Sequence, residues 1–147
     1  MPEVFAQLQA NLAGMTGQRA LCALIADQEG LEVDFHVASN DGLSSSMLDL
    51  GRHQEVWPEV KYQRTLKMRT TTLDALLREG QIAPLGQFNG LVMDTQGSEL
   101  LVLKGASALL PHIDFVKTEA ADFESYVGCC QLDELDAFLR ERGFAEY

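Results

Sequence analysis

The stretch from Leu91 to Val116 most limits the folds open to this chain. Leu91-Val92-Met93 is a short apolar run ending at Asp94, and Gln96-Gly97 is a turn signal. The sequence then reads as a helix over Ser98 to Leu110, stopped by Pro111. Ile113 to Val116 is a second apolar strand, leading to Glu119. A strand, a helix of that length and another strand form a right-handed parallel crossover. That places the second half in the α/β class. In open parallel sheets, ligands bind beyond the carboxyl ends of the strands. Asp94 and Glu119 follow two consecutive strands, where such a cleft opens, and Glu99 lies one turn into the helix. A carboxylate near a helix N-terminus also favours the helix itself.

The first half is read from its periodicity. Residues 2–15 form an amphipathic helix, with Phe5, Leu8, Leu12 and Met15 on one stripe and Pro2 in its first turn. Ala20 to Ala26 is continuously apolar and reads as a strand buried on both faces, with Cys22 as a small core residue. After a turn at residues 27–30, Leu31, Val33, Phe35 and Val37 alternate with polar residues. This is a half-buried strand, antiparallel to the previous one through a short hairpin, with His36 on its exposed face. Ser39 to Gly42 and Ser44 to Ser46 form a loop, and the segment from there to Pro58 has no clean period. Val60 to Arg69 alternates as a strand. Thr71 and Asp74, spaced like a capping box, open a short helix over Leu73–Arg78. Residues 131–142 form an amphipathic helix with Leu132, Leu135, Phe138 and Leu139 as its stripe, and Phe144 to Tyr147 begins a further strand.

Charge and cysteine content narrow the function classes. The net charge is −11, and phosphate contacts dominate nucleic-acid affinity, so DNA, RNA and anionic membrane surfaces are poor partners. The longest apolar run has seven residues, against the ~20 needed to span a bilayer. Met1-Pro2-Glu3 does not open a secretory signal, and three cysteines fit free thiols in a reducing, cytoplasmic setting. No short His or Cys ligand spacing points to a metal. Neither G-x-G-x-x-G nor a P-loop is present, and Gly42 to Ser46 departs from a nucleophile elbow at its fifth position. Residues 52–78 carry six cations against three acids. An anion site built on Arg64, Lys67 and Arg69 is weakened because Arg64 faces opposite the other two along a strand.

In order, several segments resemble one family. Leu91-Val92-Met93-Asp94-Thr95-Gln96-Gly97-Ser98-Glu99-Leu100, continuing through Leu103-Lys104-Gly105-Ala106, looks like a strand ending in Asp, then x-x-Gly-x-Glu, then a Leu-Lys-Gly-Ala helix. Ala26-Asp27 with Gly30, Ser39-Asn40 with Ser44-Ser45-Ser46, Thr72-Leu73-Asp74, Thr118-Glu119, Gly128 and Gly143-Phe144 complete the pattern. The set is similar to FkbM-type methyltransferases. The resemblance implies an α/β fold: a partial Rossmann-like class I methyltransferase sheet with flanking helices and an inserted antiparallel hairpin. It implies methyl transfer from S-adenosylmethionine, usually to an oxygen of a small-molecule or carbohydrate acceptor, without metal or nucleic acid. Carried over by position, Asp94 and Glu119 are the candidate catalytic residues. Asp27 near the adenine, Asn40 and Ser45 in a loop over the site, and Glu99 are the candidate cofactor-binding residues. The proton acceptor stays open among His, Asp and Glu.

The chain departs from that family at both ends. The strand and Gly-rich loop that hold the methionine end of the cofactor are not in the sequence, nor is the second strand with its ribose-binding acid. The expectation is one incomplete domain over residues 1–147, inactive alone and weak toward S-adenosylmethionine. Its sheet should have a central gap or two unpaired edges, which invite homo-oligomerisation. The alternative is a non-catalytic remnant acting as an interaction module.

Overall fold

Strand β3, Tyr62–Thr71, organises the first half of the computed structural model, which describes residues 1–147 and every side chain but that of Pro2. Its alternating sequence suits a strand with a neighbour on each side. On one side lies β2, Glu32–Ala38, antiparallel, in a register that runs from Glu32 opposite Arg69 to Ala38 opposite Tyr62. On the other lies β1, Leu24–Ile25, parallel to Thr70 and Thr71. Helix α1, Pro2–Leu12, precedes this sheet, and α2, His53–Val56, lies between β2 and β3.

This arrangement corrects the expected hairpin. β1 and β2 do not pair with each other, because β3 sits between them. The turn at residues 27–30 carries the chain across β3, and Gly30 adopts φ +76° there. Gly30 N–H donates to Thr70 O (2.8 Å), while Thr70 N–H donates to Leu31 O (2.9 Å). The strand expected over Ala20 to Ala26 shrinks to Leu24–Ile25, since residues 20–23 have no strand alongside among the described residues. Cys22 is exposed, not part of the core. His36 is half-buried, not exposed, because its ring stacks on Tyr62 at 4.6 Å and bonds Thr65 Oγ1 through Nδ1 at 3.1 Å.

The second half forms the expected crossover. β4, Gly90–Met93, and β5, Phe115–Thr118, pair in parallel, with Gly90 opposite Phe115 and Met93 opposite Thr118. The intervening helix α4 is shorter than expected, Glu99–Lys104, followed by a 3-10 turn at Leu110–His112. Asp74 fastens the turns that follow α4 after its Gly105 cap. It opens α3, Leu73–Arg78, and its carboxylate accepts the N–H groups of Ala108 (2.9 Å) and Leu109 (3.2 Å). A carboxylate there offers those amides an alternative to continued helix. The cap of α3 is Thr72 rather than Thr71, its hydroxyl accepting from Ala75 N–H at 2.9 Å. Helix α5, Leu132–Arg140, ends as expected: Gly143 takes φ +87° and Phe144 N–H reaches back to Leu139 O at 3.1 Å. Residues 144–147 form no strand, since none lies alongside to pair them.

Leu103 of α4 is fully buried, and Met93, Val102, Ala106, Leu110, Ile113 and Leu135 close around it. Ile25 of β1 and Leu73 of α3 reach this cluster from the first half, so one core spans both. The two sheets nevertheless share no ladder among the described residues. The result is a mixed α/β fold, a partial Rossmann-like arrangement with small sheets and flanking helices. The cations of β3 are met by acids: Lys67 pairs with Asp34 (2.7 Å), and Arg64, on the opposite face, pairs with Glu3 of α1. Such exposed pairs are screened by water and add little to stability. They occupy two of the three cations of the anion-site reading.

Candidate functional site

The loop that follows β4 is held from all sides. Its backbone turns through left-handed conformations at Gln96 (φ +55°) and Gly97 (φ +97°). A Cβ on Gly97 would lie 2.9 Å from the Tyr126 ring, so the close approach as well as the φ value requires glycine. Glu99 folds back under the turn. One of its oxygens, Oε1, accepts from Thr95 N–H (2.9 Å) and Gly97 N–H (3.2 Å), and the residue is only 5% exposed. Ser46 Oγ donates to Gln96 O at 2.7 Å, tying the turn to the Ser-rich loop. Tyr126 donates its hydroxyl to Gln96 Oε1 at 2.6 Å, and the Gln96 amide donates to Asp94. Burial is the main cause that pushes the Tyr126 phenol up to about 12, with the charges of Asp94 and Glu99 adding to it. Tyr126 therefore remains a donor at neutral pH.

The Ser-rich loop shapes a second wall. Asn40 closes a local turn, accepting Ser44 N–H (3.2 Å) and donating to Ser44 Oγ (3.0 Å). Ser45 instead accepts Ala38 N–H through its hydroxyl at 3.1 Å, at the end of β2. Helix α2 forms a third wall. The N–H groups of Gly51 and His53 both donate to Ser125 O at 3.0 Å, and Gly51 is close enough to Glu124 O that a Cβ would lie at 2.7 Å. The His53 ring packs between Trp57 (centroids 4.8 Å) and Tyr126 (5.3 Å).

These walls surround a cavity of about 660 Å³ at the carboxyl ends of β4 and β5. It brings together four of the residues expected from sequence: Asn40, Asp94, Glu99 and Glu119. Asp94 and Glu119 are exposed to it, whereas Glu99 is committed to the turn. Asp27 and Ser45 lie outside its lining, Asp27 half-buried just after β1. The sequence reading missed His53, Trp57, Tyr126 and the pair Cys129 and Cys130, all in the lining. The signal for His53 was faint, because α2 is one turn long and shows no periodicity.

The cavity fits one end of the implied cofactor. Two carboxylates line it together with Trp57 and Tyr126, and their negative charge favours a sulfonium cation. No Lys or Arg is in the lining to meet the methionine carboxylate. No group of three or more His, Cys, Asp or Glu converges as a metal site among the described residues. A family profile described as Methyltransferase FkbM domain matches residues 2–145. No curated protein and no solved structure matches the chain.

Proposed function

The chain belongs to the FkbM methyltransferase family, and from that premise we propose that the cavity beyond β4 and β5 is the acceptor side of an S-adenosylmethionine-dependent methyl-transfer site. The acceptor atom is an oxygen of a small molecule or carbohydrate. The observation that carries this reading is the pair of strand-end residues, Asp94 and Glu119, lining one cavity. When bound, the cofactor supplies an electrophilic methyl group on a sulfonium. Asp94 and Glu119 orient acceptor hydroxyls and complement the sulfonium charge. Gln96 and Tyr126 hold Asp94 in position. Trp57 and Tyr126 keep water from the reacting atoms. Holding the acceptor oxygen in line with the methyl group is the largest service such a wall can render. Glu99 acts through the turn it fastens, and Asn40 shapes the loop opposite.

The chain holds the cofactor weakly because no cation in the lining meets its carboxylate. The chain alone is accordingly inactive at low cofactor, so transfer is assayed with the cofactor in large excess. The free thiols of Cys22, Cys129 and Cys130 suit the cytoplasm. Two measurements test the reading. Calorimetry with S-adenosylmethionine should give a dissociation constant weaker than low micromolar; a low-micromolar value would overturn the weak-binding claim. At millimolar cofactor the tritium-labelled methyl group should pass to the hydroxyl oxygens of simple alcohols and methyl glycosides, giving labelled methyl ethers. That transfer should fall in Asp94→Asn. Transfer to nitrogen or carbon alone, or full transfer by the variant, would refute the assignment.

A second reading, an interaction module, is favoured by the sheet edges. β4 and β5 each have one neighbour, and an open groove of about 930 Å³ runs along β5 and α5. Unpaired edges promote strand pairing between copies. Light scattering on the purified chain distinguishes the readings: a stable dimer supports the module, and a monomer that transfers methyl groups removes it.

A further inference from the structure

Leu43 and Trp57 are large apolar side chains left in the open, and both line the cavity beyond β4 and β5. Leu43 is 76% exposed, more than any other large hydrophobic residue before Tyr147 at the carboxyl end, and Trp57 is 46% exposed. A lone surface leucine needs no explanation, but apolar groups gathered at one cavity do. The backbone fixes Leu43 in that place. Asp41 (φ +55°) and Gly42 (φ +82°) both take the left-handed conformation just before it, which Asp is among the few residues to visit. Leu43 N–H then donates to Asn40 O at 3.1 Å, and the Asn40 side chain grips Ser44 through its hydroxyl and its N–H. Trp57 is fixed at the end of α2, its N–H donating to His53 O at 2.9 Å and its ring packed on the His53 ring.

We infer that Leu43 and Trp57 determine which acceptor enters: they select a hydroxyl compound that carries an alkyl group beside its hydroxyls, such as an alkyl glycoside, over a free sugar or a short alcohol. The assignment rests on the acceptor-side reading above and narrows its class of acceptor.

The lining divides by chemistry. Asp94 and Glu119, both exposed, accept hydrogen bonds from hydroxyls. Leu43 and the half-buried Phe123 offer a hydroxyl no side-chain partner, and Trp57 adds a broad apolar ring. A ligand with hydroxyls at one end and an alkyl group at the other satisfies both kinds of wall, and covering the apolar surface drives that half of the binding. An anionic head, a phosphate or a carboxylate, would meet Asp94 and Glu119 with no Lys or Arg in the lining to offset them.

Trp57 is the only tryptophan, so its fluorescence reads the rim without cofactor or methyl transfer. The probes are methyl glucoside and hexyl glucoside, the latter below its micelle-forming concentration, added to the full chain. Hexyl glucoside should change the Trp57 emission saturably. Its dissociation constant should lie at least about tenfold below that of methyl glucoside, since a fully covered methylene is worth about fourfold and an open rim covers each in part. Leu43→Asn, at an exposed position, should weaken hexyl glucoside by about threefold or more and leave methyl glucoside unchanged. Leu43→Met should restore the wild-type value. With tritiated cofactor in excess, kcat/KM should follow the same order. Equal affinity for the two glucosides, no saturable change with hexyl glucoside, or a Leu43→Asn chain that keeps the full preference overturns the assignment, and methylation of simple alcohols would leave the acceptor-side reading standing. Hexyl glucoside that binds as expected while no hydroxyl is methylated overturns both.

Discussion

Gly105, at the carboxyl end of α4, lies against Ala26 just after β1, and replacing it tests whether one core joins the two halves. It caps the carboxyl end of α4 with φ −78°, a conformation any residue adopts, so Ala introduces no backbone strain. Space is the obstacle. A Cβ there would lie 2.1 Å from Ala26 O and 3.2 Å from Thr72 Cβ, where ordinary contact begins at 3.4 Å. Ala26 O is a backbone atom, and Ala26 N–H is bonded to Thr71 O at 2.8 Å, so it cannot retreat without disturbing the β1–β3 ladder. Overpacking costs about 1–3 kcal/mol, and a backbone neighbour puts Gly105→Ala near the upper end. For a chain of this size that lowers Tm by roughly 6–12 °C. Gly80→Ala is the matched control. Gly80 has φ +67° and nothing within 4 Å of its Cβ position, so it loses only the left-handed preference, about 1 kcal/mol. Equilibrium urea unfolding followed by circular dichroism should show a lower midpoint at unchanged slope for both, with the larger loss at Gly105. If Gly105→Ala is no more destabilised than Gly80→Ala, the close contact between α4 and β1 does not exist in solution.

Local signals carried the crossover and missed the pairing. The β4–α4–β5 unit was legible because its strands and helix have different periods and its turn residues are explicit. The same logic placed Asp94 and Glu119 correctly at strand ends, since position along a strand is a local property. Which strand β1 joins is not local. Four turn residues between two apolar runs look like a hairpin, and only the long central strand β3, arriving some 35 residues later, overrides it. Cys22 followed the same error, because an apolar run is buried only if something packs on it. The site was legible to the same degree. Glu99 was visible as a carboxylate near a helix start, but its commitment to the turn depends on Gln96 and Gly97 taking positive φ. His53 is buried by Tyr126, a residue far along the chain, and no window of sequence around position 53 contains that fact.

Three further outcomes follow from named contacts. Leu103→Ala, at the fully buried centre of the core, should cost about 2–5 kcal/mol in urea unfolding; a loss under about 1 kcal/mol would mean that the surrounding side chains collapse into the space. Stability should also depend on pH through His53. Its folded pKa is depressed, so the unfolded chain takes up the proton first as pH falls. The stabilisation is whole above 6.5 and drains as pH falls through the folded pKa, and His53→Gln should flatten that part of the stability curve. The last outcome separates the scaffold of the site from its chemistry. Glu99→Ala leaves the half-buried turn with two N–H groups, those of Thr95 and Gly97, and no acceptor. A fully buried orphaned donor costs about 1–3 kcal/mol and these cost less, enough for the turn to open before the core does. Hydrogen exchange should then speed up at Thr95 and Gly97 while Leu103 and Val102 stay protected. Glu99→Gln, which keeps an acceptor oxygen, should restore most of the protection. If both variants exchange alike, the carboxylate's charge holds the turn rather than its hydrogen bonds, and Glu99 would belong among the groups that attract a cationic ligand.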